Sequence, residues 1–162
     1  MAEKSLEIGE PLLRHRVRVL YGDTDSGGVV YYANYLRYFE AARTEFMREH
    51  AFSYLSIAER GFLLPVVECH LRYKASARYD DLLAVETCLA EVRPLSCRFN
   101  YRIVREGDGR LLVQGYTVHA AVNSEGRLVK LPAEVLAALQ KKIGADGIIP
   151  LSSLTSGSKG VE

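Results

Sequence analysis

The sequence has almost no charge of one sign to spare: 21 basic residues face 20 acidic ones in 162 positions, a formal net charge of +1. A dedicated nucleic-acid or anionic-membrane surface brings a strong basic surplus, so this balance argues against both as partners. Cysteine is scarce and odd in number. Cys69, Cys88 and Cys97 form no Cys-x-x-Cys pair, and no two histidines have metal-ligand spacing. Neither a disulfide framework nor a metal site is indicated, and the three thiols are expected to be reduced and buried in strands. Long apolar runs are missing as well. No segment approaches membrane-spanning length, and the opening Met1-Ala2-Glu3-Lys4-Ser5-Leu6-Glu7 lacks a signal-type apolar region. The expectation is a cytoplasmic protein with no membrane insertion. Internal repeats are absent too.

What is present is ordinary globular material, 48% hydrophobic and 25% charged, in a length that suits one domain with a real core. Residues 1–12 read as a lead-in. From 13 to 20 the chain alternates, with His15, Val17 and Val19 on one face and Arg14, Arg16 and Arg18 on the other, as a half-buried strand does. From about 33 to 50 the period becomes helical. Leu36, Phe39, Ala42 and Phe46 form one stripe, and Arg37, Glu40, Thr44 and Arg48 form the opposite one. Asn34 is placed to cap that helix, and Arg37–Glu40 and Glu40–Arg43 have ion-pair spacing. A shorter helix is expected from Ser53, as N-cap, to Gly61.

After Gly61 the pattern is nearly all strand: 67–74, then 75–81, a more continuously apolar run over 82–92, strict alternation over 95–104, and 111–122. Glu106-Gly107-Asp108-Gly109 reads as a hairpin connection, and 123–126 as a turn into a short segment at 127–131. Pro132 begins a last helix whose apolar side is Val135, Leu136 and Leu139. Residues 144–162 lose all period and gain Ser and Gly, so they read as a flexible tail behind a domain at 13–143. One strand, one long helix, then a run of antiparallel strands is an α+β plan in which about five strands curl around one long central helix. Such a sheet ends in bare edges, so a homodimer is expected.

The stretch from Tyr21 to Tyr35 organises the rest. Asp23 and Asp25 lie one residue apart at the end of the first strand, followed by Gly27-Gly28 and an aromatic entry into the long helix. A helix beginning just past a glycine turn leaves its first N–H groups without internal partners. An acid beside such N–H groups suits attack on a carbonyl.

The motif Tyr21-x-Asp23-Thr24-Asp25-x-x-Gly28-Val29-Val30-Tyr31, followed by Tyr35, resembles the 4-hydroxybenzoyl-CoA thioesterase family, and within it the YbgC-like branch of acyl-CoA thioesterases. The likeness continues through Arg43-Thr44-Glu45 and Tyr73-x-Ala75-x-Ala77-Arg78-x-Asp80-Asp81, and covers roughly residues 13–140. It implies a hotdog fold and an acyl-CoA substrate without metal or organic cofactor. It also implies Asp25 as catalytic carboxylate, sites at a dimer interface, and dimers that often pair into tetramers. Many YbgC-like relatives have histidine where this chain has Tyr32, whereas 4-hydroxybenzoyl-CoA enzymes often have tyrosine. The exchange removes an imidazole and keeps the backbone N–H.

Asp25 is thus expected to act as base or nucleophile, and the Tyr32 N–H to stabilise charge growing on the thioester oxygen. Asp23 is expected to tie the turn. A turn-capping role is the plain alternative for Asp25 as well. Gly28, Val29, Tyr31 and Tyr35 are expected at the substrate, although aromatics at a strand–helix junction also serve as core. Lys74 and Arg78, with Arg127 and Lys130 behind them, are the cations considered for CoA phosphates. Glu40 on the long helix reads as a solvated ion-paired residue, and His15, His50, His70 and His119 as structural or surface groups. The leading expectation is hydrolysis of a short-chain or aromatic acyl-CoA. A hydratase of the same fold lacks its histidine here, and a non-catalytic acyl-CoA-binding or scaffold protein is the rival from another class.

Overall fold

The computed structural model describes residues 6, 8, 9 and 12–143. Its frame is one antiparallel sheet of β1 (Leu13–Arg18), β2 (Val66–Tyr73), β3 (Leu82–Arg93), β4 (Ser96–Arg105) and β5 (Arg110–Ala120), in the spatial order β1-β3-β4-β5-β2. The helices are α1 (Asn34–His50), α2 (Tyr54–Glu59) and α3 (Ala133–Gln140). The expected α+β plan is present, and the tail at 144–162 lies outside the described residues.

α1 exists because Tyr35, Tyr38, Phe39, Ala42, Phe46 and Met47 recur at helical spacing and are all buried against the sheet. Phe39 stacks on Tyr101 of β4, with ring centroids 4.1 Å apart, and Phe46 meets Phe99 edge-on at 5.7 Å. Each such ring contributes about 1.5–3 kcal/mol by burial alone. Leu36 falls on the rim instead, 36% exposed, so the buried stripe runs through Tyr35 and Tyr38 and not through Leu36 as expected. Ser53 does cap α2, its hydroxyl accepting from the Ser56 N–H at 3.2 Å.

A polar chain crosses the core beneath α1. Arg43, 8% exposed, donates to the Tyr54 hydroxyl (3.0 Å) and the Tyr101 hydroxyl (3.2 Å). The Tyr101 hydroxyl lies 2.7 Å from Thr117 Oγ1, which lies 2.8 Å from His119 Nε2; His119 Nδ1 lies 2.9 Å from the Leu64 carbonyl. A carbonyl only accepts, so Nδ1 carries the proton and Nε2 accepts from Thr117. Every bond in the chain then points one way, from the guanidinium to the Leu64 oxygen.

The two sheet edges differ. β1 presents Arg14, Arg16 and Arg18, each near an acid: Glu86 at 3.8 Å, Glu106 at 2.7 Å and Asp80 at 4.0 Å. Among the described residues β2 pairs only with β5, and it shows solvent Val66, Val67 and Tyr73, 49%, 61% and 48% exposed. Cys69 on this strand is therefore exposed, unlike buried Cys88 and Cys97, which corrects the expectation of three buried thiols.

Other expectations are also corrected. Residues 75–81 form no strand, because Ala77 uses its N–H and C=O on Tyr35 and Val30 and leaves no ladder bonds. Residues 127–131 give a single bridge, Val122–Leu128, and not a strand. Arg37 pairs with Asp23 and Arg43 is buried on tyrosines, so neither ion pair expected for Glu40 forms.

Candidate active site

β1 leads into a short 3₁₀ turn at Tyr21–Asp23. Asp23, 6% exposed, binds that turn to α1. Its Oδ2 accepts from the Leu20 N–H and the Tyr38 hydroxyl, both at 2.9 Å, and Arg37 approaches Oδ1 at 3.5 Å. Its carbonyl accepts from the Tyr31 N–H and Asn34 Nδ2, both at 2.9 Å. Burial, then the bond to Asp23, pushes the Tyr38 hydroxyl well above its usual range, so it stays a donor. Asp23 has the turn-tying role expected of it. Asn34 spends its side chain here, and the helix N-cap is Ala33, not Asn34.

Asp25 stands at the next turn, which closes through its own backbone: its N–H donates to Val29 O and its carbonyl accepts from the Gly28 N–H, both at 3.0 Å. Asp25 Oδ1 accepts from the Gly27 N–H at 2.8 Å. A Cβ on Gly27 would sit 3.1 Å from that oxygen, and Gly28 has φ +75°, where glycine is favoured. The carboxylate is exposed, and its Oδ2 has no hydrogen-bond partner among the described residues. One oxygen holds the turn and the other is available for chemistry.

The mouth of α1 follows this turn in the chain. Ala33 supplies no side-chain cap, and the first turn carries no acid. The Tyr32 N–H, one residue ahead of the cap, has no partner among the described residues. Tyr31 and Tyr32 expose their rings, 4.8 Å apart, and Tyr32 meets Tyr73 edge-on at 6.5 Å. The pKa of the Tyr31 hydroxyl is raised by the neighbouring Tyr32 hydroxyl and, further down, by the Asp25 charge. Tyr35 is in the core, 2% exposed, accepting the Ala77 N–H at 3.0 Å, and Val29 is half-buried.

Arg78 comes to this turn: its Nη1 would lie 3.9 Å from a Cβ on Gly28. Lys74 is exposed just after β2, its N–H on Leu112 O at 2.8 Å. Arg127 pairs with Glu125 at 3.4 Å, and Lys130 is exposed. The histidines lie elsewhere: His70 stacks on Tyr116, His50 packs on Phe46, His15 is half-buried on β1, and His119 is in the core. A cavity of about 600 Å³ opens between β1 and α1 and includes Asp23 and Glu40 but not Asp25. Sequence reasoning did not single out Tyr38 and Ala77, which hold the site together; their signal was membership of the buried stripe and of the 73–81 motif.

The sequence profile of the thioesterase-like superfamily matches residues 19–139. Acyl-CoA thioesterase YbgC of Haemophilus influenzae is 42% identical over 125 residues, which cover 75% of this chain and 90% of that one. A crystallised hypothetical protein of Thermus thermophilus superposes with a TM-score of 0.76 at 35% identity, over 81% of this chain and 97% of the other. A crystallised aspartate-to-asparagine mutant of 4-hydroxybenzoyl-CoA thioesterase, complexed with 4-hydroxybenzoyl-CoA, superposes with a TM-score of 0.71 at 26% identity, over 79% and 98% of the two chains. Among the described residues, no helix is long and apolar enough to cross a membrane, and no group of acids, cysteines and histidines could hold a metal ion.

Proposed function

The chain belongs to the thioesterase-like superfamily and has its hotdog fold, and from that premise we infer an acyl-CoA thioesterase in which Asp25 works opposite the Tyr32 N–H. A single observation carries the reading. Among the described residues, a carboxylate with one oxygen free precedes a helix mouth left without a side-chain cap, where a backbone N–H has no partner. That amide is free to receive the thioester oxygen as charge builds on it. Asp25 Oδ2 either takes a proton from water as it attacks or attacks the carbonyl itself. Both routes cleave C–S, release CoA thiol and leave a carboxylic acid. The solved neighbour that holds its thioester lacks one carboxylate through an aspartate-to-asparagine change, the state expected when a base or nucleophile is removed.

A second copy supplies a wall of the site in this reading. Exposed Val66, Val67 and Tyr73 on the unpaired edge β2 are the surface through which two chains pair, and the pairs assemble further into a tetramer. Arg78, whose Nη1 comes to the Gly28 turn, is the cation best placed for a CoA phosphate. Short-chain and aromatic acyl groups are the substrates expected. Three free thiols suit a reducing compartment such as the cytoplasm.

The test is CoA release from a panel of acyl-CoAs by the wild type and by Asp25→Asn. The substitution keeps Oδ1 for the Gly27 bond and removes the charge, so turnover falls by about three orders of magnitude with the fold unchanged. Full activity in Asp25→Asn would return Asp25 to a purely turn-forming role. Tight acyl-CoA binding by a wild type that never turns over would favour the binding-protein reading.

A further inference from the structure

We propose that Tyr73, on the edge strand β2, is a positioning residue for the oxyanion donor: its hydroxyl fixes the Tyr32 backbone whose N–H meets the thioester oxygen. The proposal rests on the thioesterase reading above and adds to it a residue outside the Asp25 turn.

Two peptide planes flank Tyr32. In a trans peptide the N–H of Tyr32 is rigidly coupled to the carbonyl of Tyr31, so fixing that carbonyl fixes the N–H. The Tyr31 carbonyl accepts from the Asn34 N–H at 2.9 Å. The following peptide, which carries the Tyr32 carbonyl, accepts from the Tyr73 hydroxyl at 3.0 Å. Tyr32 lies ahead of α1, so no helical ladder bond holds it, and its exposed ring anchors it little. Two bonds therefore set its backbone, and one of them comes from another element of the fold.

Tyr73 is built to give that bond. Partial burial, then the neighbouring Tyr32 and Tyr35 hydroxyls, raise its pKa, so it stays protonated and donates. Its ring is braced edge-on by Tyr35 at 5.7 Å and by Tyr32 at 6.5 Å. Tyr35 is itself held by the Ala77 N–H, and Ala77 O takes the Val30 N–H at 2.9 Å. Residues 73–77 thus grip the chain at Val30, Tyr32 and Tyr35, and between the Tyr31 and Asn34 bonds the Tyr32 and Ala33 N–H groups are left without partners among the described residues. An oxyanion donor is effective only when its orientation is settled before the reaction, because any reorganisation must otherwise be made as charge develops.

Tyr73→Phe keeps the ring and removes the donor. The N–H is loosened and not lost, so kcat falls about tenfold, less than the two to three orders of magnitude typical for deleting a donor. KM stays within about twofold, and so does the affinity for an S-alkyl-CoA thioether, which has no carbonyl to hold. The same fractional loss appears with every acyl-CoA hydrolysed, since all share the carbonyl. Tyr73→4-aminophenylalanine restores the donor and most of kcat, whereas Tyr73→4-methoxyphenylalanine, with the oxygen but no hydrogen, behaves like Phe. That pair decides the matter even where the Phe variant folds poorly. An unchanged kcat in the donor-free variants, a loss confined to KM, or failure of 4-aminophenylalanine to rescue would overturn the proposal. A wild type that cleaves acyl-CoA while Tyr73→Phe matches it refutes this inference alone; a wild type inactive on every acyl-CoA refutes the thioesterase reading beneath it.

Discussion

Acidification should destabilise this protein through His119. The imidazole is fully buried; burial, then the Arg43 charge, lowers its pKa from an ordinary 6.5 to about 4, against a smaller opposing effect of the Leu64 carbonyl. The geometry explains why the ring resists a proton. A second N–H on Nε2 would force Thr117 to turn its hydroxyl towards Tyr101, and Tyr101 would then have to direct its own hydrogen towards Arg43. The buried guanidinium permits no such reversal. The folded pKa lies below the unfolded one, so above pH 6.5 neither state is protonated and nothing is lost. As pH falls from 6.5 to about 4 the unfolded chain takes up a proton that the folded chain refuses. At about 1.4 kcal/mol per tenfold change in proton concentration, that difference removes about 3 kcal/mol of stability by pH 4. Against a typical total of about 5–15 kcal/mol this is a large share. Urea unfolding at pH 7.5, 6, 5 and 4 measures it, with His119→Gln as the reference. Glutamine can donate to Leu64 and accept from Thr117 but does not titrate in this range. Carboxylates whose pKa is lowered, such as Glu106 beside Arg16, contribute in both proteins and cancel in the difference. The wild type should lose about 3 kcal/mol more than His119→Gln between pH 7.5 and 4. Parallel curves would refute the reasoning.

Other perturbations separate the parts of the fold. Gly115→Ala places a Cβ 2.0 Å from the His70 carbonyl, so β2 must leave β5. The expected result is a melting temperature lower by 10 °C or so, at roughly 4–8 °C per kcal/mol in domains of 60–100 residues and less in longer ones, together with loss of the proposed dimer in light scattering. Asp23→Asn removes a buried charge that takes two hydrogen bonds and an Arg37 contact; urea unfolding at pH 7 should show a loss of about 2 kcal/mol. Arg78→Ala should raise KM for acyl-CoA several-fold and leave KM for the matching acyl-pantetheine unchanged, because only the former carries the nucleotide phosphates.

Much of this was legible in the residues. The helical stripe, the β4 alternation and the 106–109 hairpin each follow one period, and the structure places each of them within a residue or two. The division of labour between Asp23 and Asp25 could be anticipated from the turn, but the agents that enforce it could not. Tyr38 and Ala77 act from positions 15 and 54 residues away from Asp23, and long-range bonds leave no periodic trace. Cys69 shows the same limit from another side. An edge strand alternates like an interior one, and only its place in the sheet order decides that its thiol meets solvent. Arg43 was read as surface charge because its counterparts are tyrosine hydroxyls and not acids.

The contrast between the sheet's two borders has a consequence for growth. The β1 border carries guanidinium–carboxylate pairs that another chain would have to strip of water, and the β2 border shows solvent the apolar faces of Val66, Val67 and Tyr73. In the dimer proposed above, zipping along β2 would use up the apolar margin of each molecule and leave a guarded one at both ends. Sheet extension would then stop at ten strands, and the polypeptide would keep a sticky seam without becoming the repeat unit of a fibril.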